Sequence, residues 1–213
     1  MSNILVFSDF DGTISKQDIL DNIITQLYSF DKYKEVEKKL LSNEISYEKY
    51  LFDMFNNINY DLNNLPIDII DDKFIHFYKW INEKNIDFYI ISSGFKKIIS
   101  YLIPFIPSNI IYGNDISINN QNLWNVSLYN GNQSIDKNII INELKKTNYK
   151  TIFIGDGLSD FKVMNKVDFL FCKKNSLLHL KCIEENCPYI VFEDFSDVLT
   201  EINNIMNSIS IMA

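Results

Sequence analysis

No arginine occurs anywhere in the 213 residues, so all 20 basic side chains are lysines. The planar two-point fork with which a guanidinium holds a carboxylate or phosphate is therefore excluded. Anion recognition must draw on ammonium groups, backbone N–H groups, helix ends or a metal ion. Basic charge is also outnumbered, and the net charge of −8 repels nucleic-acid phosphates, so no nucleic-acid partner is expected. Cysteine is scarce: Cys172, Cys182 and Cys187 are an odd number with no C-x-x-C spacing. They read as reduced thiols of a cytoplasmic protein, not as a disulfide framework or zinc site. No apolar run approaches the ~18 residues that cross a bilayer. The N-terminal segment has no basic region followed by a long apolar one. Neither membrane insertion nor secretion is expected. Proline is too rare to mark a linker, and no internal repeat is visible.

What is abundant is core-forming material: 46% hydrophobic residues, with 16 Phe and 12 Tyr, enough for one packed domain or a core with a modest insertion. Short apolar runs alternate with helical patterns, which favours an α/β fold with a parallel sheet. Strands are expected at Ile4–Ser8, Phe88–Ser92, Ile110–Tyr112, Thr151–Gly155, Phe169–Cys172 and Tyr189–Phe192, because buried parallel strands read as continuous apolar runs. About 75 residues separate the first two strands, where a crossover needs only about a dozen. The surplus carries two helical stripes, Ile19/Leu20/Ile23/Ile24/Leu27 and Tyr47/Tyr50/Leu51/Met54/Phe55, the second with Ser46 as N-cap. It reads as an inserted helical subdomain over residues 16–70, leaving residues 1–15 and 71–213 as the core. A helix around Asp72–Glu83 leads back to the sheet. Trp124 reads as part of a short hairpin.

Three polar clusters follow three apolar strands: Asp9/Asp11, Ser92 and Asp156/Asp160. Ligands of open α/β sheets bind at the carboxyl ends of strands, so topology draws these clusters to one edge. Two carboxylates at i and i+2 of an extended segment crowd each other unless a cation sits between them or one is protonated. With Asp156 and Asp160 added, the set suits a hard, oxygen-loving ion such as Mg²⁺. Asp-Phe-Asp-Gly read alone is equally a turn. Lys137 follows Asp136 in the first turn of an amphipathic helix, where the dipole disfavours a cation. That misfit suggests either a functional ammonium or a solvated surface lysine. Ser92-Ser93-Gly94 precedes a helical stretch and reads as an anion-binding start or an ordinary strand-to-helix turn.

Together, Asp9-Phe10-Asp11-Gly12-Thr13, Ser92, Lys137 and Gly155-Asp156-Gly157-Leu158-Ser159-Asp160 resemble, in order and placement, the four motifs of the haloacid dehalogenase-like hydrolases. The resemblance covers nearly the whole chain. It implies a Rossmann-like parallel sheet flanked by helices, with an inserted all-helical cap of the C1 type. It also implies roles: Asp9 as nucleophile, Asp11 as general acid and base, and Ser92, Ser93, Gly94 and Lys137 as phosphate-binding groups. Mg²⁺ would be held by Asp9, Asp11 through its carbonyl, and Asp156, with Asp160 orienting a metal-bound water. An Asp at position 11 points to a phosphatase acting on a small phosphorylated metabolite, or to a phosphomutase or phosphotransferase on the same scaffold. A non-catalytic binding protein of this fold is the remaining alternative. The cap position and the Ser92-Ser93-Gly94-Phe95 segment resemble the phosphoserine phosphatase-like branch, and within it the phosphatases of methionine salvage and of polyol phosphates. Phosphoserine itself fits less well, because its carboxylate is held by an Arg that this chain lacks. Asp18 occupies the place of a cap acid that contacts substrate, and equally suits an N-cap before Ile19-Leu20.

Overall fold

The computed structural model describes residues 3–66 and 68–212. The chain divides into two compact units. The first comprises residues up to Lys16, Ile70–Ile91 and the chain from Asp136 onward; the second comprises Gln17–Ile69 and Ser92–Ile135.

In the first unit, β1 (Ile4–Ser8) is buried along its whole length. It pairs in parallel with the first half of β2 (Asp87–Phe95) on one side and with β5 (Lys150–Gly155) on the other. Two further parallel strands, β6 (Phe169–Lys173) and β7 (Ile190–Phe192), complete that side. The apolar strands need cover on both faces. Part of it comes from α4 (Phe74–Glu83) and α9 (Phe195–Met212). Phe74 and Phe77 each meet the Phe195 ring at 5.0 Å between centroids, and Phe77 meets Phe88 edge to face. Such rings dominate the apolar area that drives this packing. The remaining helices of this unit are α6 (Lys137–Leu144), the short α7 (Leu158–Phe161) and α8 (Leu177–Glu184).

The second unit holds α1 (Ile19–Leu27), α2 (Phe30–Leu41), α3 (Tyr47–Phe55), α5 (Lys96–Leu102) and an antiparallel pair, β3 (Ile111–Ile118) with β4 (Trp124–Ser127). The second half of β2, Ser92–Phe95, also belongs here. The hydrogen-bonded strand order is β4-β3-β2-β1-β5-β6-β7. Helix starts follow capping chemistry: Asp18, Ser29 and Ser46 each accept a backbone N–H from the first turn of α1, α2 and α3. Trp124 is fully buried at the hairpin, its indole N–H donating to the Tyr60 carbonyl at 3.0 Å.

Among the described residues, every non-glycine with positive φ is an asparagine, seven in all. Asn43, Asn57, Asn85 and Asn186 sit one residue past the C-caps of α2, α3, α4 and α8. This is the left-handed position that glycine commonly fills, and asparagine tolerates it best of the other residues. All three cysteines are free thiols. No helix among the described residues is long and apolar enough to cross a membrane.

Candidate active site

The site grows from the carboxyl ends of β1 and β5. Ser8 pairs with Ile154, and the Asp9 N–H donates to the Ile154 carbonyl at 2.8 Å. This bond places Asp9 beside the start of Gly155-Asp156. β1 ends at Ser8, so the alternation of an extended strand stops there. Asp11, half-buried, opens a turn over residues 11–14. Gly12 makes that turn possible: its φ is +72°, and a Cβ there would lie 2.3 Å from an Asp156 carboxylate oxygen. The Thr13 hydroxyl donates to the other Asp156 oxygen at 2.8 Å. The first and last motifs are thus locked together through Gly12, Thr13 and Asp156.

Asp160 is fully buried. One of its oxygens accepts the N–H groups of Asp156 and Gly157, at 3.1 and 3.0 Å. The other accepts the Lys137 ammonium at 2.5 Å, and the same ammonium lies 2.8 Å from Asp9. Lys137 is only 5% exposed, which rules out a solvated surface lysine. It is the first residue of α6, whose N-cap Asp136 accepts the Asn138 N–H. The unfavourable helix dipole at that position is outweighed by two carboxylates.

Burial would lower the Lys137 pKa, but Asp160 and Asp9 overcome it and keep the ammonium protonated. Burial, and then the Asp160 charge, push the Asp9 carboxyl well above the usual range against the pull of Lys137. Burial and Asp160 likewise push Asp156 up to about 6. One ammonium does not neutralise two buried acids and the half-buried Asp156 beside them. Asp9, Asp156 and Asp160 each offer an oxygen within 4.8 Å of the others. A crowd of hard oxygen donors short of positive charge fits Mg²⁺.

Ser92, Ser93 and Gly94 lie on β2 in the second unit, so the strand runs past the expected end at Ser92 and α5 begins only at Lys96. Ser92 is fully buried, and its hydroxyl oxygen accepts the Gly94 N–H at 2.9 Å. Asp18, also in the second unit, is exposed and caps α1, accepting the Asp21 N–H at 2.9 Å. Sequence reasoning missed Thr13, whose motif position alone does not announce a bond to Asp156. It also missed Lys173, whose ammonium reaches the Thr13 carbonyl at 3.4 Å. Its signal was a lysine at the end of an apolar strand, Phe169–Lys173, on the sheet edge that carries the acids.

No protein-family model matches the chain. It is 30% identical to the 2-hydroxy-3-keto-5-methylthiopentenyl-1-phosphate phosphatase of Bacillus cereus, over 96% of this chain and 98% of that one. Among solved structures, a phosphoserine phosphohydrolase-like protein from Francisella tularensis superposes with a TM-score of 0.70 at 19% identity, covering 93% of this chain and 99% of that one. A phospho-aspartyl intermediate analogue of phosphoserine phosphatase superposes with a TM-score of 0.67 at 15% identity, covering 94% and 99%. The sheet, the motif order and this end-to-end similarity converge: the chain belongs to the haloacid dehalogenase-like phosphatases, and its fold is that of the phosphoserine phosphatase structures.

Proposed function

We propose that this phosphatase is a Mg²⁺-dependent phosphomonoesterase that works through an aspartyl-phosphate on Asp9. Its proposed substrate is a methionine-salvage ester, 2-hydroxy-3-keto-5-methylthiopentenyl-1-phosphate or a close analogue. The observation that carries the catalytic reading is the contact of one buried ammonium, Lys137, with both Asp9 and Asp160 inside a cluster that includes Asp156. The substrate reading is supported by the Bacillus relative matched end to end. It is also supported by the absence of any Arg to hold the carboxylate of phosphoserine.

In this mechanism an Asp9 oxygen bonds to phosphorus as the ester P–O bond breaks, and the leaving alkoxide takes a proton from the Asp11 carboxyl. Asp11 then takes a proton from water. The water oxygen bonds to phosphorus as the link to Asp9 breaks, which frees inorganic phosphate. Two easier displacements replace one slow hydrolysis. Lys137 holds Asp9 in orientation and shares its charge with the phosphoryl oxygens, which Ser92, Ser93 and Gly94 also bind. Asp9, Asp156 and the Asp11 carbonyl would hold Mg²⁺, with Asp160 bracing the loop, and the ion would supply positive charge to offset the transferring group. Residues 16–70 serve as the cap, and Asp18 is its candidate substrate contact. Asp9→Asn is expected to eliminate Mg²⁺-dependent release of phosphate from p-nitrophenyl phosphate. Retained turnover would refute Asp9 as nucleophile.

A further inference from the structure

Asn114 is fully buried on β3. Its side-chain amide donates to the Ser93 carbonyl at 2.7 Å and to the Ser134 hydroxyl at 2.9 Å, and its oxygen accepts the Tyr129 N–H at 3.2 Å. The carbonyl of Ser93 can only accept and the N–H of Tyr129 can only donate, so the amide has one orientation. A buried amide satisfied on both ends is a rigid fixture.

The same two partners are held a second time. The Tyr47 hydroxyl donates to the Ser93 carbonyl at 3.2 Å, and the Ser134 N–H donates to a Glu48 carboxylate oxygen at 3.2 Å. The residue before Asn114 is also shaped for this segment. A Cβ on Gly113 would meet the Gly94 carbonyl at 3.1 Å and the Ser92 carbonyl at 3.3 Å, so β3 approaches the end of β2 closely only with glycine there. Ser93 lies between Ser92 and Gly94, and Ser134 is three residues ahead of Lys137 in the chain. Two successive residues of β3 therefore address the segments that lead into both phosphate-binding elements.

We infer that Asn114, with Tyr47 as second donor, is a positioning residue for phosphoryl transfer. It fixes the Ser93 carbonyl, and through that peptide plane the Gly94 N–H and the Ser92 hydroxyl that accepts it. It also anchors the chain entering the helix of Lys137. This inference rests on the proposed assignment of Ser92, Ser93, Gly94 and Lys137 to the phosphoryl oxygens.

The test uses inorganic phosphate as a competitive inhibitor of p-nitrophenyl phosphate hydrolysis by the full chain, with circular dichroism on each variant. Asn114→Asp keeps the size and the acceptor for Tyr129 but removes both donors. Tyr47→Phe removes only the second donor. Ser92→Ala is run in parallel. Asn114→Asp is expected to raise the phosphate Ki about 10-fold or more, since misplacement by a fraction of an ångström is costly at a reacting centre. Tyr47→Phe is expected to raise it about threefold, the loss of one modest hydrogen bond. A purely structural role would lower the active fraction, and hence kcat, without moving Ki. If Ser92→Ala raises Ki but folded Asn114→Asp and Tyr47→Phe stay within about twofold of wild type, below the weight of one hydrogen bond, Asn114 is not a positioning residue. Should Asn114→Asp fail to fold, an unchanged Ki in Tyr47→Phe overturns the inference by itself. An unchanged Ki in Ser92→Ala removes the phosphate assignment instead, and this inference falls with it.

Discussion

Gly12 shows how little room the proposed catalytic residues have. Its left-handed φ and the 2.3 Å approach that a Cβ would make to the Asp156 carboxylate act together. Gly12→Ala is expected to destabilise the fold by about 1–2 kcal/mol from backbone strain. It should also cut phosphate release by more than about tenfold, because Asp156 must move. Urea unfolding and steady-state rates check the two effects separately. At this scale the sequence was informative where residue type conflicted with its surroundings. A lysine in a first helical turn and a crowd of acids at strand ends are unfavourable unless they meet, and Lys137, Asp9 and Asp160 do meet. Asn114 gave no such signal. One asparagine among many looks like solvent-facing polarity, and only its burial and three bonds distinguish it.

Among the elements, the strands were legible because buried parallel strands are continuous apolar runs. The expected Ile4–Ser8 is observed unchanged, and α3 starts at the expected Ser46 cap. α2 was not singled out, since its narrow apolar face of Tyr33, Val36 and Leu40 lies among charged residues and is only half-buried, and the helix buries no residue fully. It is held instead by its Ser29 cap and by pairs such as Lys39–Glu35 at 2.5 Å, each worth only a few tenths of a kcal/mol. The β3–β4 pair was read only as a three-residue strand and a hairpin hint, because β3 alternates into polar residues after Asn114. α1 carries a testable cost. Burial, and then the neighbouring Asp18, push Asp21 from 3.8 up to about 6. The folded state therefore favours the neutral acid. The contribution of Asp21 to stability is most favourable below pH 4, declines as pH rises to about 6, and stays reduced above it. Asp21→Asn is expected to stabilise the protein at pH 7 by on the order of 1 kcal/mol after solvent screening, and to gain nothing near pH 3. Thermal midpoints across that range give the answer.

For the molecule as a whole, the lack of arginine and the acidic balance shape how it handles phosphate. A protein of net charge −8 that binds an anion needs concentrated positive charge at one point. In the proposed mechanism Lys137 supplies part of it, and the three-acid cluster has the donors to hold a divalent ion that would bring the rest. Mg²⁺ should therefore raise the thermal midpoint even without substrate, by the equivalent of about 2.7 kcal/mol at a hundredfold excess over Kd. Asp156→Asn should abolish that shift. Among the described residues, glycine scarcity is met by asparagine at seven left-handed positions, beside Gly12 and Gly131. The two-step chemistry on Asp9 remains the central claim. Its most direct measurement is borohydride reduction of the protein quenched during turnover, followed by peptide mass spectrometry. A carboxyl–phosphate link at Asp9 predicts homoserine at position 9, only when substrate and Mg²⁺ are both present. Rapid phosphate release with residue 9 recovered as unmodified aspartate would contradict it.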